Sequence, residues 1–321
     1  MSYQTQVINL DDIVSINHQY RKFLKVWDLK EVESEFAKME KNSDHKGYGL
    51  FRLFKCLLLQ FMEDLSDREL ERFLQENTAG KWFCGFDIVE TTPEHSVFYN
   101  ARKRIGTKKL SAIFNNLKTQ LQSQGLISET FTFVDATHLI AKANLWQERD
   151  KAIKAKIDKL NNETLPKVSH DKQARIGCKG NNKYWYGYKQ HNAVDMQSGL
   201  ITKTAITPAN VTDAQGLNNV APKSGAVYAD KGYCIKPCQR IDKIKGFHLA
   251  AIKNNNMKDK NRDLDRWYSA IRAPYERVFS KQNKRVRYVG VAKNQFSAFM
   301  NALCFNLKRL LVIAPPDLQQ T

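Results

Sequence analysis

Hydrophobic residues recur at helical spacing through the first part of the chain. In residues 44–126 the clearest run is Leu50, Leu53, Phe54, Leu57, Leu58 and Phe61, and this spacing predicts a helix. Ser66 and Glu69 fit a capping box at the start of the next helix. Thr92 as cap and Pro93 at the first helical position predict the start of another. We therefore expect an all-helical domain at 44–126, preceded by an N-terminal arm at 1–43.

Near residue 127 the pattern changes to the alternation typical of strands. The predicted strands are 130–135, 184–194, 200–207, 226–229 and 247–252, and the predicted helices are 213–220, 236–244, a segment around Glu276, and 294–313. Hairpins followed by alternating strands and helices predict an α/β fold, with a mixed sheet flanked by helices at 127–321.

Residues 146–183 interrupt this pattern with a polar stretch that lacks a convincing apolar face. The stretch carries ten Lys and Arg residues. We interpret it as a basic insertion, partly helical at its start. It is a solvated loop, a clamp for a polyanion, or both.

Composition and charge narrow the function. The hydrophobic fraction of 42% supports real cores, and 51 Lys and Arg against 33 Asp and Glu give a net charge of +18. Such a surplus favours nucleic acid or an anionic membrane over a small-molecule substrate. No clean apolar span of about 20 residues is evident, and the start has no basic segment followed by an apolar one. We therefore expect a cytoplasmic protein that binds nucleic acid and no membrane.

A short basic helix in the helical domain offers one DNA-binding candidate. Arg102, Lys103 and Arg104 lie toward the end of the helix predicted from Pro93. A polar, basic helix behind an earlier helix is typical of the recognition helix of a helix-turn-helix. A solvated basic helix face is an equally good interpretation.

Three acidic residues stand out by position. Asp135 and Asp230 each end an apolar predicted strand, and Glu276 is the only acidic residue between Arg266 and Leu310. Alone, either Asp is more often a turn or cap residue, and Glu276 could be an ion-pair partner. Together, three carboxylates can hold two Mg²⁺ ions for phosphodiester chemistry.

Cys234 and Cys238 form a C-x₃-C pair, with Cys178 and His191 upstream. Their spacing departs from standard zinc patterns, so thiols are favoured over a zinc site.

Several motifs in order resemble a known family. They are PEHSVFYNARKRI, FTFVDATHL, KYWYGYKQHNAVDMQSGLI, ITPANVTDAQGL, VYADKGY and IRAPYERVFSKQNKRVRYVGVAKNQF. The chain is similar to bacterial insertion-sequence transposases with a DDE core, in the branch typified by insertion sequence five. The resemblance implies an RNase-H-like fold in which Asp135, Asp230 and Glu276 are the catalytic residues and the metal ligands.

The same resemblance implies a cofactor, an activity and partners. The cofactor is two Mg²⁺ ions, with Mn²⁺ as a substitute. The activity is cleavage at transposon ends and strand transfer into target DNA. The partners are double-stranded DNA and further copies of the chain on DNA, in the nucleoid of a bacterial cytoplasm.

The segment around the last acid follows the family's Tyr, Arg, Glu, Lys signature in part. Arg272 lies four residues before Glu276 as the signature asks, whereas Tyr268 is one residue out of register. Pro274 is expected to start the helix that holds Glu276 and to leave Arg272 just outside it. The expected DNA contacts here are Arg272, Lys281, Lys284, Arg285 and Arg287.

Two alternatives stay open from the sequence. One is a non-catalytic DNA-binding protein derived from a transposase, although a pure binder gains nothing from three acids near phosphates. The other is a structure-specific nuclease with the same RNase-H-like fold. Terminal inverted repeats flanking the coding sequence would favour a transposase over a nuclease.

Overall fold

The computed structural model describes residues 9–41, 47–157, 159–180, 182–255, 257, 260–280 and 284–313. Its contacts divide the chain into two compact units. One comprises Met1–Gln120 with Leu303–Thr321, and the other comprises Leu121–Ala302. The sequence predicts domains at 1–43, 44–126 and 127–321. These limits remain a prediction.

The first unit is helical in its described residues. Its helices are α1 (Leu10–Ile13), α2 (Gln19–Val26), α3 (Lys30–Glu40), α4 (Leu50–Met62), α5 (Asp67–Glu76) and α6 (Thr78–Cys84), with most of α7 (His95–Ser123) and the end of α13 (Val291–Ile313). The capping box of Ser66 and Glu69 is present at the start of α5. Helix α4 supplies much of the core because its apolar residues are buried almost all round.

Aromatic residues pack on α4 inside this unit. The ring of Phe54 lies 6.2 Å from that of Trp27 in an edge-on arrangement, and 5.4 Å from that of Phe36. All three side chains are buried. Large aromatic surfaces of this kind contribute strongly to a helical core, which explains why α2, α3 and α4 fold together.

Helix α7 begins later than the sequence predicts. It starts at His95, so the expected start at Thr92 and Pro93 is wrong by two residues. At this start Glu71 of α5 accepts a hydrogen bond from the backbone N–H of His95 at 3.0 Å. The first N–H groups of a helix need acceptors from outside it, and Glu71 supplies one. Gly106 interrupts the helix with a φ of 64°.

The second unit contains a six-stranded mixed sheet. Its strands are β1 (Phe131–Ile140), β2 (Arg175–Lys179), β3 (Lys183–Asp195), β4 (Ile201–Pro208), β5 (Ala226–Ala229) and β6 (His248–Ala251). Strand β3 lies antiparallel to β1, β2 and β4, whereas β5 is parallel to β1 and β6 is parallel to β5. The order β4-β3-β1-β5-β6 is that of an RNase-H-like fold, as expected.

Helices flank this sheet. They are α8 (Leu145–Lys154), α9 (Leu165–Val168), α10 (Asp213–Val220), α11 (Lys236–Lys245), α12 (Arg262–Ser280) and the first part of α13, with a short 3₁₀ turn at Lys231–Tyr233. One buried cluster joins the sheet to α10 and α11 through Val134, Ala193, Leu217, Val227 and Cys238. Val227 and Ala229 of β5, two residues apart, both belong to this cluster, as expected for one face of a strand.

The basic insertion is more structured than its polarity suggests. Helix α8 agrees with a partly helical start, but β2 was not expected. Strand β2 pairs with residues 183–187 of β3, and β4 pairs with residues 188–194 of the same strand. Only one of the five residues of β2 is buried, so its sequence lacks the alternation of apolar and polar residues that predicts a strand.

Helix α13 is long and apolar enough to cross a membrane by length and composition. It is the one such helix in the described ranges, and 61% of its most apolar window is buried inside the chain. A mostly buried apolar helix is also what the core of a protein without a membrane segment contains.

Candidate active site

The sheet brings two of the predicted acids side by side. Phe133 of β1 pairs with Tyr228 of β5 in parallel register, and each acid follows two residues later in its own segment. The negative charge of Asp230 acts on Asp135, so the two carboxylates lie in the same region. Asp230 follows the last residue of β5. Asp135 does not end its strand as expected, because β1 continues to Ile140. It therefore projects from the middle of the strand, where pairing with Asn192 of β3 holds its backbone.

Helix α12 brings the third acid to the second through one guanidinium. Arg272 Nη1 lies 3.3 Å from Asp230 Oδ1, and Arg272 Nη2 lies 3.3 Å from Glu276 Oε1. The Arg272 side chain is only 7% exposed, whereas both carboxylates are 57% exposed. The guanidinium carbon lies 5.5 Å from the ring centre of Phe133, two residues from Asp135. Arg272 is thus a buried positive charge among the predicted acids.

Pro274 lies inside α12, and so does Arg272. The expectation that Pro274 starts the helix, with Arg272 outside it, is wrong. A proline inside a helix removes one hydrogen bond and favours a kink. The helix continues nonetheless, and its continuity keeps Arg272 and Glu276 on one face.

Burial sets the protonation of Asp135. It raises the pKa of Asp135 to about 6, and the negative charge of Asp230 acts in the same direction. The backbone N–H of Ala136, which lies 2.8 Å from Oδ1, opposes this rise, as do the charges of Arg272 and Lys179. Asp135 is partly buried and forms no ion pair among the described residues, so a bound cation would favour its ionised form.

The donor set has the right chemistry for a hard divalent cation. Mg²⁺ takes oxygen ligands and tolerates few protein carboxylates, and three carboxylates come from adjacent elements here. In the part of the chain that the structure describes, no three His, Cys, Asp or Glu side chains are already arranged around a metal position. Arg272, rather than a shared ligand geometry, links Asp230 to Glu276. The residues fit Mg²⁺ because they offer carboxylate oxygens from adjacent elements of the fold.

A buried polar group on β3 lies opposite Asp135 and was not singled out from the sequence. Asn192 pairs with Asp135 in the β1–β3 register and is fully buried. Its Oδ1 accepts from Gln190 Nε2 at 3.3 Å, while its own Nδ2 has no hydrogen-bond partner in the described residues. The signal in the sequence is a run of polar residues, 189–192, inside a predicted strand.

Comparisons with known proteins bear directly on this arrangement. The family described as "Transposase DDE domain" matches residues 127–307, and "Transposase domain (DUF772)" matches residues 8–104. The first match alone covers more than half of the chain. The chain belongs to the DDE transposase family. Membership implies DNA cleavage and strand transfer, and this family generally uses divalent metals.

One relative and two solved structures illustrate the likeness. The transposase for insertion sequence element IS1106 from Neisseria meningitidis serogroup B is 31% identical over 215 residues, which are 62% of this chain and 72% of that one. The piggyBac transposase synaptic complex with hairpin DNA is 9% identical, with a TM-score of 0.44 over 96% of this chain and 77% of that one. The Mos1 transposase paired-end complex is 8% identical, with a TM-score of 0.19 over 88% and 86%.

Basic residues of this DDE transposase line the end of β1. Ile140 donates to Lys284 O at 2.7 Å and accepts from Val286 N at 3.0 Å, so residues 284–286 run alongside the strand. Lys284 and Lys179 are exposed and both lower the pKa of His138, after burial, which is the larger cause. Arg285 is exposed and Arg287 is half-buried, and Lys281 lies outside the described residues. The predicted basic segment thus reaches the C-terminal end of β1.

The three basic residues predicted on α7 have different surroundings. Arg102 forms a two-point ion pair with Asp67, at 2.8 and 2.5 Å, and its side chain is 11% exposed. Arg104 is 4.0 Å from Glu40, and Lys103 is exposed. Their roles in DNA binding stay a prediction for this transposase, with Arg102 already engaged inside the helical unit.

The cysteines and His191 of the DDE transposase have other neighbours. Cys234 Sγ lies 3.7 Å from Met257 Sδ, and the buried His191 contacts Thr207 Oγ1 through Nε2 at 2.9 Å. Burial lowers the pKa of His191 to about 4, which keeps the imidazole neutral. His191 of β3 therefore packs in the interior, against Thr207 of β4 and Gly216 of α10.

Proposed function

We propose that this DDE transposase uses Asp135, Asp230 and Glu276 to cleave DNA at transposon ends and to transfer the strand into target DNA. The observation that supports the proposal most is the guanidinium of Arg272, which contacts both Asp230 and Glu276 at 3.3 Å. The effect of the Asp230 charge on Asp135 supports including Asp135 in the same site. These contacts support a site to which β1, the residue after β5, and α12 each contribute one acid.

The three carboxylates would hold two Mg²⁺ ions, with Mn²⁺ able to replace them. When bound, the metal pair supplies the charge stabilisation for in-line attack by water in cleavage and by a 3′-hydroxyl in joining. The carboxylates themselves position the cations, and no serine, cysteine or histidine nucleophile is needed. Asp135 must lose its proton to act as a ligand, and its raised pKa of about 6 still permits this at neutral pH.

Double-stranded DNA is the proposed partner, both as transposon end and as target. Its phosphates would meet basic residues on both parts of the chain, namely Arg102, Lys103 and Arg104 in the helical domain at 44–126, and Arg272, Lys281, Lys284, Arg285 and Arg287 in the catalytic domain at 127–321. The net charge of +18 supports an anionic partner. We further propose a homo-oligomer on DNA, in the bacterial cytoplasm and associated with the nucleoid.

The test uses the full chain and a duplex that carries the sequences flanking its gene. Asp135→Ala, Asp230→Ala and Glu276→Gln should each abolish Mg²⁺-dependent end cleavage on a denaturing gel, while gel-shift binding of the duplex survives. Asp263→Ala is the matched control, because Asp263 lies on α12 with a side chain 91% exposed. Cleavage at the wild-type rate by any of the three acid variants would overturn its catalytic assignment.

The same assay separates the alternatives. A wild-type chain that binds the duplex but cuts it with neither Mg²⁺ nor Mn²⁺ would be a DNA-binding protein derived from a transposase. A chain that cuts branched or unpaired DNA regardless of end sequence, and joins nothing, would be a structure-specific nuclease.

A further inference from the structure

Arg272 is the only basic side chain that contacts a predicted catalytic acid among the ion pairs of the described residues. Nη1 faces Asp230 and Nη2 faces Glu276, each at 3.3 Å. The guanidinium is therefore shared between two acids that come from different elements. Asp135 feels the same charge at longer range.

Arg272 is more deeply buried than the two carboxylates that it contacts. Arg272 is nearly buried against Phe133, whereas Asp230 and Glu276 are more than half exposed. Arg272 Nε is buried and has no hydrogen-bond partner in the described part of the chain. An arginine whose charge is taken from water in this way depends on its two carboxylates for compensation.

Those carboxylates are also the proposed ligands of the divalent cation. A guanidinium and a metal ion compete for the same oxygen lone pairs, since each prefers an ionised carboxylate. If Arg272 stayed in place, its charge would repel a divalent cation bound to the same two groups. Either way, metal binding is opposed by the arginine.

We propose that Arg272 is a positioning residue that acts as an internal counter-ion. It holds Asp230 and Glu276 together in the metal-free chain and is displaced from them when a divalent cation binds. Metal affinity in the absence of DNA is consequently weaker than the three carboxylates alone would give. This inference rests on the proposed function, because it takes the three acids to be the metal site.

Mn²⁺ binding to the DNA-free full-length chain tests the proposal, with calorimetry or the electron paramagnetic resonance signal of free Mn²⁺ as the readout. Arg272→Gln should tighten Mn²⁺ binding by roughly tenfold, the size of an ordinary coupling between two charged sites. Arg272→Lys should tighten it less, because an ammonium keeps the charge but not the two-armed contact.

Arg266→Gln is the matched control. It removes the same charge from the same helix, but the Arg266 side chain is 82% exposed and pairs with Asp263, so Mn²⁺ affinity should hardly change. A purely structural role for Arg272 predicts unchanged or weaker Mn²⁺ binding in Arg272→Gln, and either result would overturn the proposal.

A second measurement needs no folded Arg272→Gln protein. In wild-type chain labelled with ¹⁵N-arginine, the Nε resonance of Arg272, assigned by its loss in Arg272→Lys, should shift as Mg²⁺ is added. A resonance that stays fixed while the acids saturate would contradict displacement.

Failure of the proposed function gives a different result. If Asp230→Ala and Glu276→Gln leave Mn²⁺ binding intact, the metal site itself is misassigned and both proposals fall. If those variants lose Mn²⁺ but Arg272→Gln does not gain affinity, only the counter-ion role is wrong.

Discussion

Arg272 and Glu276 lie one turn apart on α12, with Nη2 of the arginine 3.3 Å from Oε1 of the glutamate. Residues four apart share one face of a helix, so their spacing alone sets up this contact. The other arm of the guanidinium reaches Asp230, which lies beyond the end of β5. A local helical pair is thus extended into a connection between the helix and the sheet.

The raised pKa of Asp135 predicts a pH-dependent stability in EDTA. The unfolded chain should release this proton near the ordinary value of 3.8, whereas the folded chain keeps it until about pH 6. Between these values the folded state binds more protons than the unfolded state, so stability falls as pH rises. Asp135→Asn should remove this fall and raise the free energy of unfolding at pH 7 by about 1–3 kcal/mol, at roughly 1.4 kcal/mol for each pKa unit.

Urea unfolding at pH 4 and pH 7 measures this difference. The wild-type and Asp135→Asn curves should nearly coincide at pH 4 and separate at pH 7. If the wild-type chain lost no more stability than Asp135→Asn between pH 4 and pH 7, the raised pKa of Asp135 would be contradicted.

The ring of His191 packs directly on the backbone of α10 at Gly216. A methyl group added at Gly216 would overlap this buried ring. Gly216→Ala should therefore destabilise the chain by about 1–3 kcal/mol, the usual cost of overpacking, although alanine favours a helix. Thermal unfolding measures the effect. Gly232→Ala is the control, because its added methyl would meet its nearest neighbour, Asp213 Oδ2, at an ordinary 3.6 Å.

His191→Ala should rescue the Gly216→Ala variant in part, since it removes the atoms that clash. Equal losses from Gly216→Ala in the two backgrounds would mean that the clash is relieved elsewhere.

We expect Arg102 of α7 to have a structural role and Lys103 of the same helix to bind DNA. Arg102→Ala leaves Asp67 without its two-point partner, and we expect a loss of about 1–3 kcal/mol of stability, because the pair is partly exposed. Lys103→Ala should leave the melting temperature unchanged. It should instead lower the slope of log affinity against log salt by about 0.9, one phosphate contact.

Fluorescence anisotropy with a labelled end duplex at several KCl concentrations measures the slopes. If Lys103→Ala binds with the wild-type slope, the recognition-helix prediction loses its main support.

Lys179 and Lys284 should contact DNA near the C-terminal end of β1. Both are exposed and both act electrostatically on His138, so they share one region of the surface. Changing each to alanine should weaken duplex binding and lower the salt slope by about 0.9 per residue. Lys243→Ala on α11 is the matched control, because this exposed lysine belongs to the helix that covers the sheet through Cys238. An equal loss of duplex affinity in Lys243→Ala would mean that net charge, and not a contact at this place, causes the effect.

The sequence predicted structure correctly where the residues of a single helix or strand determine it. The capping box of Ser66 and Glu69 agrees with the structure, and so does the order of strands and helices in the second unit outside residues 146–183. The signals failed where a partner distant in sequence intervened. Glu71 accepts from the backbone N–H of His95, where α7 starts, and pairing with β3 makes a strand of residues 175–179.

The sequence by itself determined the α/β order and the isolation of Glu276 among basic residues, because both depend on residue type and local pattern. It also singled out Asp135, Asp230 and Glu276 as candidates, through their positions and the resemblance to a family. Only the tertiary structure decided that Asp135 lies within a strand, that Arg272 is buried, and that its guanidinium joins Asp230 to Glu276. The physical reason is that burial and charge pairing are properties of neighbours in space. Here those neighbours come from a strand end and a helix 42 residues apart in the chain.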